Sequence, residues 1–449
     1  MRTDQIDRRA LVRRAAALGV SLSALGAAAA PSARNAALAA DPVSLEFWTP
    51  ANDPVGSGII AKLVDDFNAT TGKEKGITVN TRIKPATNDS YVQYTTAMTS
   101  SGSPDVVMTY SYNPVVAWAA NGFLTPLDSY AETLGIKQED FFPIAWVMST
   151  FGGHTWGLLQ SFDFYQFWAN TGIHSGPMPK TFDELDKLAA EYTKIENGQL
   201  VQAGLIPWMN DTGPAWNTSW GGSFYDLEAR KWTIDTPENA KFLTWFLKYV
   251  DMFGGRDKSD ALESSVPRTY GDIFQYDKVA FALEGEWMPA TLEQQGLKLS
   301  YAIAHVPTAE NVPYGTGDTI GGNLFLVPAK APHPAEAAVF VQHMTSKEGV
   351  LAWCLPNSNI PPVKAAAFDP SFLQQLPKLE PWLDSLKLDK MVPPNPSPQM
   401  PLFRDLLATA IDEVTYKKKS PEQALTDVAQ RVAGEVAQFK EAHPDWDGE

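Results

Sequence analysis

Residues 43–83 read VSLEFWTPANDPVGSGIIAKLVDDFNATTGKEKGITVNTRI, and this stretch decides the fold class. Val43 to Trp48 is an apolar run that ends in an aromatic and predicts a strand. A glycine-containing loop, Thr49 to Gly58, follows it. From Ile59 to Asn68 the apolar residues Ile59, Ile60, Leu63, Val64 and Phe67 recur at helical spacing. Ile77 to Ile83 alternates and reads as the next strand. Working outward, Tyr91 to Ser100 reads as a helix and Asp105 to Met108 as a short buried strand. This β-α-β-α-β order predicts an α/β protein with an open parallel sheet and helices on both faces. Such sheets bind ligands beyond the carboxyl ends of their strands. Those ends are Trp48-Thr49 and Thr109-Tyr110-Ser111-Tyr112.

Later segments carry clear helix starts. Thr181 precedes Phe182-Asp183-Glu184-Leu185 with capping-box spacing. Thr236-Pro237-Glu238-Asn239 places a capping residue before a first-turn proline. Ala335 to Met344, Pro401 to Tyr416 and Ser420 to Phe439 also read as helices. Phe368 to Pro401 is proline-rich with few regular runs, and no heptad array or internal repeat is present.

The first 40 residues read as a signal peptide rather than as part of the fold. Asp7-Arg8-Arg9-Ala10-Leu11 is a twin-arginine pattern, Ala15 to Ala30 is apolar, and Ala37-Leu38-Ala39-Ala40 is a small-residue cleavage site. The only cysteine, Cys354, lies far from that site and in the apolar run Leu351 to Leu355. A lipid anchor through an N-terminal cysteine is therefore not expected, and Cys354 reads as a buried structural thiol. The chain has 449 residues, so removal of 40 leaves about 409, enough for two domains. The leader carries six arginines and two aspartates, and −16 less its +4 leaves the mature chain near −20. That charge opposes nucleic acid and anionic membrane surfaces. Beyond the leader no apolar run reaches the length of a membrane span.

Residues 208–225, WMNDTGPAWNTSWGGSFY, hold three of the 14 tryptophans within 18 residues. Gly, Pro, Asn, Asp, Thr and Ser surround them and mark a surface loop. Exposed flat aromatics beside amides and carboxylates suit a sugar: the rings cover its C–H face and the polar groups bond its hydroxyls. The competing reading is a loop whose tryptophans plug into the core.

Catalytic signals are sparse. The six histidines (His154, His174, His305, His333, His343 and His443) form no HExxH or comparable ligand pair, and no nucleophile elbow, Walker sequence or dinucleotide fingerprint occurs. No metal or cofactor is expected. Asp163, Glu284 and Glu286 are carboxylates near aromatic residues, as a glycoside hydrolase would need. Carboxylates also accept hydrogen bonds from sugar hydroxyls without catalysis, so both readings stand at this level.

A series of segments adds a resemblance. Phe47-Trp48 is followed by a helix ending Asp66-Phe67-Asn68, then Ser101-Gly102-Ser103-Pro104-Asp105-Val106 and Gly122-Phe123-Leu124-Thr125-Pro126-Leu127-Asp128. Trp156-Gly157-Leu158-Leu159, Pro179 to Leu185, Lys278 to Trp287, Gly321-Gly322, Ser346 to Gly349 and Ser420 to Leu425 continue the order. Together they resemble the bacterial extracellular solute-binding proteins of sugar-type ABC importers, the group that includes maltose-binding protein.

The resemblance implies a two-lobed periplasmic binding protein fold of type II, with three crossovers and a ligand cleft between lobes. Residues 41–160 with 321–355 would form the N-terminal lobe, and 161–320 with 356–449 the C-terminal lobe. It implies that Trp48, Asn52, Tyr110 and Tyr112 line the cleft from the first lobe. Asp163, Trp208, Asp211, Trp216, Trp220 and Trp287 would line it from the second, with Gly322 and Asn323 on a crossover. Arg404 takes the position of a stacking aromatic, a departure that suggests a different sugar or linkage. The implied protein is a monomeric, exported, non-enzymatic receptor. It would pass a di- or oligosaccharide to a membrane permease driven by a cytoplasmic ATPase. A secreted glycoside hydrolase and a binder of a phosphorylated polyol, with Arg404 and Arg268 as cations, are the alternatives.

Overall fold

A computed structural model describes residues 42–85, 88–267, 273–375, 379, 382–384, 386 and 394–444, of which residues 88–91, Asp211 and Thr319 are described by their backbone but not their side chains. The leader and Arg268 lie outside the described residues. The chain opens with β1 (Val43–Thr49), α1 (Pro54–Ala69), β2 (Ile77–Ile83), α2 (Asn88–Thr99), β3 (Val106–Thr109) and α3 (Asn113–Ala120). β1 lies between β2 and β3 and is parallel to both, as the alternation of elements predicted. α1 starts five residues before its apolar stripe, because Asp53 caps it and Pro54 fills its first turn. The Gly56 N–H donates to Asp53 Oδ1 at 2.7 Å. Its buried face is Ile59, Ile60, Leu63, Val64 and Phe67, the residues expected from the spacing.

The middle of the chain supplies β4 (Gly157–Asn170), α4 (Phe182–Tyr192), β5 (Lys194–Glu196), β6 (Gln199–Leu205), α5 (Gly213–Ser219) and α6 (Pro237–Phe253). Then come β7 (Val279–Gly285), α7 (Met288–Gln295), β8 (Tyr301–Ala304), β9 (Thr319–Leu326), α8 (Pro334–Met344) and α9 (Lys347–Asn357). α10 (Met400–Thr415) and α11 (Pro421–Ala442) close the chain. The capping box at Thr181 and Glu184 is complete, and Thr236 and Ser420 cap α6 and α11.

The nine strands form one mixed sheet in the order β2-β1-β3-β9-β4-β7-β6-β5, with β8 also paired to β4. The parallel pattern of the first three strands ends where β9 runs antiparallel to β3. β4 is the long central strand. Its first residues, Gly157 to Leu159, pair with the part of β9 that also pairs β3. Its last residues, Tyr165 to Asn170, pair with β7 and β8. Gly321 lies opposite Asp163, two residues before Tyr165, where pairing with β9 ends and pairing with β7 begins. The register slips next to it, between Asn323 and Leu324.

Aromatic packing marks two core regions. Around β1, Phe47 stacks on Phe325 at 5.5 Å and meets Phe340 edge-on at 5.3 Å. Beyond β4, Phe182 of α4 gathers Trp216, Trp220 and Trp245. Such offset and edge contacts add to area burial. Cys354 is fully buried, as its context predicted. Among the described residues no helix is long and apolar enough to cross a membrane.

Candidate functional site

A cavity of about 370 Å³ opens beside the partner switch of β4. This lies within the ~300–1,000 Å³ typical of small-molecule sites. Tyr110 to Asn113 approach from the end of β3, Asp163 and Tyr165 from β4, and Ile320 and Gly321 from β9. Asn210, Asn217, Thr218 and Ser223 to Tyr225 form a wall, and Pro394, Asn395, Phe403 and Arg404 form another. Trp287 and Asp318 also line it.

The period of a strand explains how β4 contributes. Phe162 and Phe164 are fully buried, so Asp163 and Tyr165 share the opposite face and reach the cavity. Trp287 is held by local covalent economy. A Cβ on Gly285 would lie 2.2 Å from the Trp287 ring, so only glycine lets the indole fold back over the turn. The ring then meets Tyr165 edge-on at 5.2 Å and 84°.

Four carboxyl groups in or near the cavity have different surroundings. Among the described residues the Asp163 carboxyl group makes no hydrogen bond or ion pair with the protein. Burial pushes its pKa up to about 7. Asp318 is held by three donors: His305 Nδ1 at 2.5 Å, the Val306 N–H at 2.9 Å and Gln166 Nε2 at 3.0 Å. That bond to Asp318 raises the pKa of His305. Glu286 is fully buried and does not line the cavity. Its oxygens accept from the Phe164 N–H and from Asn359 Nδ2, each at 2.7 Å. Glu284, also buried, accepts from Asn210 Nδ2 at 2.9 Å. Burial first, then neighbouring carboxylates, raise the hydroxyl pKa of Tyr110 and Tyr165, and burial alone that of Tyr112. These phenols stay neutral donors and acceptors. Among the described residues no group of three or more His, Cys, Asp or Glu side chains is placed to hold a metal ion.

The expected site residues divide clearly. Tyr110, Tyr112, Asp163, Trp287 and Arg404 meet at the cavity. The loop tryptophans do not, which corrects the reading of 208–225 as a loop of exposed rings. Residues 213–219 are the helix α5, and Trp216 is 1% exposed against Phe167, Phe182 and Trp245. Trp208 is 8% exposed, packed on Phe246 and Phe253 with the Arg256 guanidinium over its ring. Trp220 stacks on Phe182 at 4.2 Å. Burying large rings in the core outweighs leaving them in water, and the segment offers the cavity its asparagines, threonines and Tyr225 instead.

Trp48 and Asn52 also stand outside this cavity. Trp48 donates to Glu46 Oε1 at 2.6 Å, lies edge-on to Tyr94 and carries Lys84 over its ring, while Asn52 is exposed. Gly322 serves packing: a Cβ there would sit 2.5 Å from the Ser161 carbonyl oxygen across the β4–β9 pair. Asn323 is buried in β9 opposite Ser161, and Gly321 is the glycine that reaches the cavity. The side chain of Asp211 lies outside the described residues.

Several lining residues escaped the reading. Tyr165 was available from period-2 counting out of Asp163. Asp318, Phe403 and Asn217 carry no local signal, since their position depends on how distant segments pack.

Solved structures with this fold bear on the site. CpMnBP1 with mannotriose bound matches with TM-score 0.78 and 22% identity, over 87% of this chain and 100% of that chain. The maltose/maltodextrin-binding domain MalE from Bdellovibrio bacteriovorus, bound to maltotriose, matches with TM-score 0.71 and 17% identity, over 88% and 100%. The GacH receptor of Streptomyces glaucescens, known unliganded and with acarbose, matches with TM-score 0.70 and 19% identity, over 90% and 99%. The likeness establishes the two-lobed α/β fold. No curated protein matches the sequence. The sequence model for bacterial extracellular solute-binding proteins matches residues 62–381, and the chain belongs to that family.

Proposed function

We propose that this protein is an extracytoplasmic sugar-binding receptor of an ABC importer, which captures a di- or oligosaccharide and delivers it to membrane permease subunits. The observation that carries this reading is the Asp163 carboxyl group, without a protein partner, facing a cavity walled by Tyr110, Tyr165 and Trp287. Ring faces cover sugar C–H surfaces, and a carboxylate accepts from adjacent hydroxyls. The saccharides in CpMnBP1, MalE and GacH support the same class of ligand. In this reading the lobes comprise 41–160 with 321–355 and 161–320 with 356–449. The mature protein is periplasmic or otherwise extracytoplasmic, acts as a monomer and carries no lipid on an N-terminal cysteine.

We assign it no catalytic step. A glycosidase needs a second carboxyl group free to act on the substrate. Glu284 and Glu286 are turned to protein donors and do not line the cavity, and Asp318 is engaged by three donors. A phosphorylated solute would want several cations, and among the described residues Arg404 is the one arginine or lysine that lines the cavity.

A thermal-shift screen with mono- to tetrasaccharides tests the reading. A ligand bound only to the native state at 100 times its Kd adds about 2.7 kcal/mol, which raises the melting temperature by several degrees. Shifts with anionic solutes and none with sugars would overturn it.

A further inference from the structure

We propose that Glu286 is a positioning residue for solute capture, its buried carboxyl group tying the strand of Asp163, the turn of Trp287 and the Asn359 segment into one unit. The inference rests on the cavity being the solute site. Glu286 sits between Gly285, which gives way to the Trp287 ring, and Trp287 itself. One of its oxygens accepts from the Phe164 N–H, the residue directly after Asp163. The other accepts from Asn359 Nδ2, just beyond α9, where Phe162 also donates its N–H to the Ile360 carbonyl at 2.9 Å. Three segments distant in sequence thus meet on one side chain that does not itself reach the cavity. A shift of the carboxyl group would move Asp163 and Trp287 relative to each other.

No lysine or arginine pairs with Glu286 among the described residues, so a buried acid here is an unusual choice for packing alone. The titratable groups that interact with it are Asp163 and Tyr165 on β4 and Cys354 on α9, while Glu284 on β7 and the cation Arg404 on α10 act on Tyr165. Burial and the charge of Asp163 push Glu286 well above the usual carboxyl range. The folded chain therefore holds a proton that the unfolded chain has released. Stability from this group is present at low pH and is lost as pH rises toward its folded value. A neutral carboxyl group can still serve both neighbours, accepting from Phe164 and donating to the Asn359 amide oxygen after that amide rotates. Glutamine reproduces this arrangement and alanine removes it.

The test compares wild type, Glu286→Gln, Glu286→Ala and Asn359→Ala in the intact chain. Melting temperature is followed between about pH 5 and pH 9. Trp287 emission is isolated by subtracting the spectrum of the matching Trp287→Phe variant. Affinity for mannotriose and maltotriose is measured alongside. The expected result is a red-shifted Trp287 signal in E286A and N359A, its restoration in E286Q, and a flatter pH profile in E286Q than in wild type. For whichever trisaccharide binds, E286A should weaken binding on the order of tenfold, since it leaves two buried donors unmatched. Unchanged Trp287 emission in E286A, or an E286Q pH profile as steep as wild type, would overturn the proposal. If neither trisaccharide binds wild type, the saccharide reading fails, while the emission and pH data still decide the role of Glu286.

Discussion

Asp163→Asn removes a charge from the cavity without changing its shape, and it separates the stability of the chain from its use. The carboxyl group is pushed from an ordinary value of 3.8 up to about 7 by burial. Each unit is worth about 1.4 kcal/mol, so a dry site would carry about 4 kcal/mol. The cavity admits water, which screens the charge and reduces the expected effect to ~1–2 kcal/mol. The sign follows from proton linkage. The folded chain retains the Asp163 proton between about pH 4 and pH 7 while the unfolded chain does not, so wild-type stability declines across that window. Asparagine has no such decline. Urea unfolding of both proteins at about pH 4 and pH 8 should give similar stabilities at the lower pH. At the higher pH D163N should be the more stable by ~1–2 kcal/mol. D163N should also bind solute more weakly, since it removes the charged acceptor. A D163N protein less stable than wild type at pH 8 would show that the carboxylate has a stabilising partner, and would refute the account of Asp163 as a group held for ligand.

Four further outcomes follow from named contacts. Trp216→Ala should cost ~3–5 kcal/mol of unfolding free energy, while the folded fraction keeps its solute affinity, as denaturation and titration calorimetry can show. Gly285→Ala places a methyl group where the Trp287 ring lies, so it should weaken solute binding and alter Trp287 fluorescence even in folded protein. Asp105→Ala strips the acceptor from the Glu46 and His333 N–H groups and should lower stability by ~1–3 kcal/mol in urea. His305→Gln should flatten the pH dependence near neutrality. The raised imidazole pKa gives wild type stability that is full below about 6.5 and lost as pH rises through the folded value; a pH series of melting curves checks this.

The fold was legible where local rules act alone. The βαβ order, the stripe of α1 and the caps at Thr181, Thr236 and Ser420 all depend on residues within a few positions of one another. The antiparallel insertion of β9 between β3 and β4 was not, because it joins residues more than 150 positions apart. The site divides in the same way. Strand ends and the resemblance located Tyr110, Tyr112, Asp163, Trp287 and Arg404 at the cavity. The tryptophan-rich segment misled because glycine and polar residues around Trp216 looked like a surface loop, whereas α5 turns that ring against Trp245. Composition describes how a segment meets water on average, not which side of it faces the core. Gly322 misled for a related reason: a paired glycine near a cleft can serve close strand packing as well as ligand access.

The central claim is that a saccharide is held at the Asp163–Trp287 cavity. Titration calorimetry of the wild-type chain and of Trp287→Ala against mannotriose, maltotriose and their shorter homologues measures it directly. The account predicts one-to-one binding of at least one of these sugars to wild type and loss of most of that affinity in W287A. Binding left intact by W287A, or no heat with any saccharide in the panel, would contradict it.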